Sequence, residues 1–341
     1  MLQIFLRKFF AKTFYPINSN DWYKNKGYKG KDDATRFANF LATQQKKSAR
    51  FYGEFTSLQL TRQYIQSGSS QLDSVLIVPN QDVSLGKPGR GLYFIMFQGR
   101  EEYYESRFRD MARQSRETGA SVLGFNPKGF HCSTGRTRQL TDIMDDGIAV
   151  VDFLLQRGVK HEQIILQGNS LGAGVQEMVS EHYRTSMCMP FRQINSNSFK
   201  SLSAVIAYRY KMPFLESFFN LLLKYAGWEI SPGPDFYKTG PYRCHIRRKE
   251  DRTIALGAEY NIMLNTQKDY ENCPKSYRET NRWLHEHSQM VYTGKSEKDP
   301  HELGLHRFQI QQSDSADKKS VYHFINRYLE ASNAILKVQI H

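Results

Sequence analysis

A chain of 341 residues, 40 % hydrophobic and 24 % charged, is long enough to bury a core without metals or disulfides, and its composition excludes a disordered or fibrous protein. No stretch approaches the ~18 uninterrupted apolar residues of a membrane-spanning helix. The net charge of +13 comes with 20 Tyr and 22 Phe, a combination that suits nucleic acid or an anionic membrane. The basic residues are dispersed and no run matches a nucleic-acid motif, so nucleic acid is not expected. A basic solvated surface and an attraction to acidic lipid headgroups are the two readings that stand. Cys132, Cys188, Cys244 and Cys273 form no CxxC and no paired Cys/His spacing, which argues against a structural zinc site and a disulfide framework. Reduced thiols in the cytoplasm are the expectation.

In chain order, the first segment, MLQIFLRKFFAKTFY, places Leu2, Phe5, Leu6, Phe9 and Phe10 at helical spacing, with Arg7, Lys8 and Lys12 largely off that stripe. It lacks the long apolar region and small-residue cleavage site of a signal peptide. Such a helix either lies in a membrane interface or packs on the body of the protein. Residues 11–50 are polar and hold one predicted helix, 33–47, with Asp33 placed to cap it. Residues 1–49 thus read as a helical extension ahead of a catalytic domain at 50–341.

From residue 50 the pattern changes to strands and helices in alternation. Strands are expected at 57–65, 72–78, 92–97, 121–126, 163–167, 242–247 and 289–292, with short pieces at 193–195 and 204–207. Helices are expected at 101–117, 139–156, 171–183, 253–263 and 321–334. The run Leu92-Tyr-Phe-Ile-Met-Phe97 is continuously apolar, as a strand covered on both faces requires. Alternation of this kind implies right-handed βαβ crossovers. The fold class is therefore α/β, a mostly parallel sheet of about eight strands with helices on both faces and an antiparallel opening pair.

The chemistry centres on Gly168-Asn169-Ser170-Leu171-Gly172, a G-x-S-x-G pattern directly after an apolar strand and before a small-residue helix start, Ala173-Gly174. The bare pattern recurs by chance in roughly one protein in ten of this length; the strand–turn–helix context is what makes it specific. A serine on so sharp a turn takes strained backbone angles, and glycine on either side leaves room for the strand and helix to meet. The helix start also points N–H groups at developing negative charge.

An acid and a histidine should follow in that order. Asp251, in CHIRRKEDRTI after a strand, is the candidate acid, with Glu250 beside it as the alternative. His301 in KDPHELG is the candidate base, with His306 in GLHRF the alternative; His285 and His287 precede the last strand and read as surface residues. An oxyanion hole needs two donors. The backbone N–H of Leu171 supplies one, and the N–H of Arg100, after Gln98-Gly99, supplies the other. The apolar stretch 208–239, with Met212, Phe214, Leu215, Phe218, Phe219 and Leu221 to Leu223, reads as a helical cap suited to an acyl chain, or as a plain buried helix.

Together the segments LQGNSLGAGVQ (166–176), FNPKGFHCSTGRT (125–137), INSNSFKSLSAV (194–205) and EDRTI (250–254) resemble the α/β-hydrolase superfamily over about residues 50–341. More narrowly, they resemble a branch first described as a chlamydial protein family, with relatives among secreted Legionella effectors. The resemblance implies serine hydrolysis, of lipid esters among other substrates, inside a host cell reached without a cleavable signal peptide. It carries over Ser170 as nucleophile, Asp251 as acid and His301 as base. One departure is that many relatives have His-Gly where this chain has Gln98-Gly99.

The expected activity is thus a carboxylester hydrolase working through an acyl-enzyme, with no metal or organic cofactor. A thioesterase, acyltransferase or peptidase would use the same triad, and a catalytically silent membrane- or partner-binding scaffold would keep only the fold.

Overall fold

The computed structural model describes residues 2–14, 26–51, 57–231, 243–248, 254, 258, 289–292, 309–311 and 318–339. Ten strands form one sheet among the described residues, in the order β1-β2-β4-β3-β5-β6-β7-β8-β9-β10. They are β1 (Leu58–Ser67), β2 (Ser70–Pro79), β3 (Tyr93–Phe97), β4 (Ser121–Phe125), β5 (Ile164–Asn169), β6 (Arg192–Ser196), β7 (Arg243–Arg248), β8 (Gln289–Tyr292), β9 (Gln309–Gln311) and β10 (Lys318–Ser320). Strands β4, β3, β5, β6, β7 and β8 run parallel. The β1–β2 hairpin joins them antiparallel through β4, its two-residue turn opened by Gly68 at a positive φ of 55°.

The helices of eight residues or more among the described residues are α1 (Leu2–Phe14), α2 (Asp33–Phe51), α3 (Tyr104–Thr118), α4 (Leu140–Gln156), α5 (Leu171–Met187), α6 (Leu202–Arg209), α7 (Glu216–Ala226) and α8 (Val321–Gln339). Period-two alternation within apolar strands builds a core on each face. Phe94 of β3 and Ile165 of β5 join Phe40, Tyr104, Phe108, Val321 and Ile325 on the α2, α3 and α8 side. Ile95, Phe97 and Leu166 join Leu140, Val151, Val175, Val179 and Tyr183 on the α4 and α5 side. Burial on both faces explains why these strands read as continuous apolar runs.

Four sequence expectations change. The sheet has ten strands rather than eight, because β9 and β10 are three-residue edge pieces, Gln-Ile-Gln and Lys-Lys-Ser, that carry no apolar run. Residues 204–207 are helical rather than extended: the Ser201 hydroxyl accepts the Ala204 N–H at 3.0 Å and starts α6. The cap of α2 is Asp32, not Asp33; its Oδ1 accepts both the N–H and the hydroxyl of Thr35 at 2.8 Å, while Asp33 pairs with Arg36 at 3.0 Å. Helix α3 begins at Tyr104 rather than at 101, because the preceding residues form a tight turn beside the site. The helix expected at 253–263 lies outside the described residues but for Ile254 and Ala258, both buried.

Between β6 and β7 the described part of the apolar stretch, up to residue 231, forms the end of α6, a short turn at Pro213–Leu215 and α7. Leu223, Ala226, Trp228 and Ile230 face the core. Helix α1 touches α7: Gln3 donates from Nε2 to the Tyr225 carbonyl at 2.9 Å, and Phe14 lies 5.8 Å from Trp228 between ring centroids. Among the described residues no helix is long and apolar enough to cross a membrane.

Candidate active site

Strands β3 and β5 are neighbours, yet the connections leaving them run to opposite faces of the sheet. Where strand order reverses in this way, a crevice opens outside the carboxyl ends of the strands. The two chain segments that leave those ends here are Gln98-Gly99-Arg100 and Asn169-Ser170-Leu171. Topology alone therefore brings the serine and the predicted donor loop together.

Ser170 sits between β5 and α5 at φ 52°, ψ −120°. A non-glycine residue in that region is strained, and it persists only where its surroundings hold it. Two hydrogen bonds and two glycine contacts do so. The Ser170 N–H donates to the Ser196 carbonyl at 2.9 Å, tying the turn to β6, and the Ser170 carbonyl accepts from Ala173 N–H at 2.9 Å. A Cβ on Gly168 would lie 2.5 Å from Ala173 Cα and 2.6 Å from Gln176 Oε1, so the strand end touches the helix backbone. A Cβ on Gly172 would lie 2.3 Å from the Phe97 carbonyl oxygen and 2.4 Å from that of Gln98, so the helix start touches the end of β3. Both flanking glycines are there for space; neither has a positive φ. Ser170 is recessed, with 6 % of its surface exposed.

The contact at Gly172 brings the start of α5 against the end of β3, the strand that leads into the loop of Arg100. The backbone N–H groups of Leu171 and Arg100 form no hydrogen bond with any described residue. Leu171 is the first residue of α5, where the N–H has no partner within the helix. Around Arg100 the loop is tightly folded: Glu102 N–H donates to the Gly99 carbonyl at 3.2 Å, and Glu101 takes φ 60°. The Gly99 N–H is already engaged, donating to Glu102 Oε2 at 2.8 Å. The Arg100 side chain points to solvent and pairs with Glu101 at 2.7 Å.

Sequence reasoning passed over the residues that hold this loop. Glu102 Oε1 accepts from Arg107, and Arg107 also reaches Asp110 at 3.4 Å. Burial works against the Arg107 charge, and the two carboxylates outweigh it, raising its pKa. Asn169, the variable residue of the elbow pattern, donates to Glu102 Oε2 at 3.4 Å and accepts from Asn197 Nδ2 at 3.0 Å. One chain of side chains thus links the donor loop, the elbow and the end of β6. Gln98, Glu102, Gly168, Asn169 and Ser196 line a small recess beside the elbow. The adjacent pair Glu101-Glu102 was the only signal in the sequence, and it reads equally well as an exposed turn.

Asp251, with its alternative Glu250, and the candidate bases His301 and His306 lie outside the described residues. A described histidine near the loop, His131, meets Tyr103 edge-to-face at 4.1 Å between ring centroids. It is 1 % exposed, and burial pushes its pKa down to about 4, so it is neutral at physiological pH. Cys132, Cys188 and Cys244 are free thiols; Cys273 lies outside the described residues.

Neither a family model nor a curated protein sequence matches the chain. Similar solved structures include an alpha-beta hydrolase from Vibrio vulnificus, with 12 % identity over 79 % of this chain and 81 % of that one, at a TM-score of 0.49. An esterase from Pyrococcus furiosus shows 14 % identity over 69 % of this chain and 81 % of that one, at 0.45. An esterase from Pyrobaculum calidifontis shows 11 % identity over 78 % and 96 %, at 0.43. These likenesses are weak in identity and in superposition alike; the chain's own sheet order and elbow define its class. A sheet that opens antiparallel with β1 and β2, continues parallel in the order β4-β3-β5-β6-β7-β8, and carries a glycine-flanked serine between β5 and the next helix has the α/β-hydrolase fold.

Proposed function

We propose that the protein is a serine hydrolase that cleaves carboxylic esters through an acyl-enzyme, with Ser170 as nucleophile. The observation that carries this reading is the strained Ser170 backbone, at φ 52° on a strand-to-helix turn where both neighbouring glycines are in backbone contact. Strain is retained where function uses it, and the residue after Ser170 opens a helix whose first N–H groups have no partner within the helix. In the mechanism, a histidine takes the Ser170 proton as Oγ attacks the acyl carbonyl, and an acid orients the imidazole. His301 and Asp251 are assigned those roles by chain order, with His306 as the alternative base. The oxyanion rests on the N–H groups of Leu171 and Arg100, an arrangement whose donors are each worth about 10²–10³ in rate. Water then releases the acid. The chemistry needs no metal or organic cofactor.

The substrate assigned is an ester with an apolar, lipid-like acyl chain, and the segment 208–239 is assigned as a cap over it. Support comes from the apolar residues of α7 between β6 and β7. The narrower resemblance, to chlamydial and Legionella proteins working inside a host cell, rests on the four short segments quoted above.

A series of aryl esters of rising acyl length, run beside matched thioesters, tests the assignment. Oxygen esters of medium or long chain should be cleaved fastest, and Ser170→Ala should abolish turnover. Faster cleavage of thioesters, or turnover retained in Ser170→Ala, would overturn it.

A further inference from the structure

Helix α1 has more apolar surface than its packing uses. Leu6, Phe10 and Phe14 form one stripe, and the structure covers it: Phe10 and Phe14 are 6 % exposed and Leu6 packs against the same core. Leu2, Phe5 and Phe9 form a second stripe beside it and remain 63 %, 65 % and 52 % exposed. Phe5 and Phe9 stack on each other at 6.5 Å between centroids. A helix that only docked on its own domain would need the first stripe alone.

The helix it touches repeats the pattern. In α7, Leu223 and Ala226 are buried, whereas Phe218, Leu221 and Tyr225 follow one another along the outer face at 51–69 % exposure. Phe214, in the turn just before, is 80 % exposed. Large apolar side chains gathered on two touching helices mark a surface that meets something other than water.

Charge identifies the partner. Helix α1 contains no acidic residue, and Lys8 and Lys12 are exposed beside its outward stripe. The sole acid of residues 202–226 is Glu216, which is neutralised by Lys200 at 2.9 Å. Arg209 ends α6, Lys211 lies in the connection that follows it and Lys224 stands on α7, all three exposed. Apolar residues on one arc with lysines flanking it is the composition of a helix lying in a membrane interface. Lysine stems also let the charge reach the headgroups while the apolar side chains sink deeper.

We infer that α1 and α7 together form a platform that docks on an anionic lipid bilayer, with Phe5, Phe9, Phe214, Phe218 and Leu221 entering the interface and Lys8 and Lys12 meeting the acidic headgroups. The inference is independent of the chemistry at Ser170.

The test is co-sedimentation of the full chain with vesicles of phosphatidylcholine, alone or with about a third phosphatidylserine. Wild type is expected to pellet with the anionic vesicles and to be released as salt rises. Phe5→Ser/Phe9→Ser and Phe218→Ser/Leu221→Ser should each weaken partitioning about tenfold or more, and Lys8→Glu/Lys12→Glu should remove the preference for phosphatidylserine. All of these positions are exposed, so an unchanged Tm is the control for folding. Ser170→Ala should bind as wild type does, which separates this inference from the hydrolase proposal. Equal pelleting by wild type and the aromatic double variants would overturn it, as would failure of wild type to bind either vesicle. So would a wild-type dimer in sedimentation velocity that Phe5→Ser/Phe9→Ser converts to monomer, because the surface would then belong to a second copy of the chain.

Discussion

Substitution of Gly172 by alanine probes the geometry of the site directly. The added methyl group would stand 2.3 Å from the Phe97 carbonyl oxygen, 2.4 Å from that of Gln98 and 2.5 Å from the Phe97 carbonyl carbon. All three are backbone atoms, so no side chain can swing away. The start of α5 and the end of β3 must separate by at least about 0.7 Å to reach 3.0 Å, below which real Cβ contacts are essentially not seen. Strain of this kind costs about 1–3 kcal/mol of stability. The same displacement moves the Leu171 N–H relative to the loop after β3, and a misplacement near 1 Å costs about 10²-fold in rate. Gly172→Ala is therefore expected to stay folded with a lowered Tm and to lose about two orders of magnitude in kcat on a short aryl ester. Gly174→Ala is the matched control. Its methyl would meet side chains, Ile230 at 2.6 Å and Phe199 at 3.2 Å, so it should lose stability with little loss of kcat. If Gly172→Ala lost no more activity than Gly174→Ala at equal Tm, the reasoning from this backbone contact would be refuted.

Other consequences can be measured alongside. Glu102→Gln removes the carboxylate that holds Gly99 N–H, Asn169 and Arg107; kcat should fall about tenfold with KM little changed, and a wild-type kcat would deny Glu102 a positioning role. Glu229 lies between α6 and the segment after α7, accepting from the Ser203 and Ser231 hydroxyls at 3.3 and 3.2 Å, and burial pushes its pKa up to about 7. Because the folded value lies above the unfolded one, its contribution to stability is full below about pH 4.5 and is lost as pH rises through about 7. The Tm difference between wild type and Glu229→Gln should therefore shift toward the variant from pH 5 to pH 8, and a difference independent of pH would contradict the assignment.

The elbow was legible in sequence because its constraint is steric and local. Two glycines and a serine at fixed spacing are what allow a strand to meet a helix at that angle, and no distant partner is required. The buried strands were legible for a related reason: coverage on both faces leaves an uninterrupted apolar run such as Leu92 to Phe97. What escaped depends on contacts between distant segments. Glu102, Asn169 and Asn197 are separated in the chain and meet only once the switch between β3 and β5 has formed. The short run 204–207 fits a strand or a helix by pattern, and the Ser201 hydroxyl decides between them. Asp32 and Asp33 are equivalent as letters, and only the start of α2 makes one a cap and the other half of an ion pair. In α1 the full apolar arc was visible at once, but which half the domain would cover was not.

The central claim concerns one oxygen atom, and an active-site-directed fluorophosphonate tests it most directly. The full-length protein should be phosphonylated stoichiometrically, with the adduct on Ser170 in the peptide map, and Ser170→Ala should take up none. A folded wild-type protein that resists the probe, or a Ser170→Ala variant labelled as well as wild type, would contradict the account.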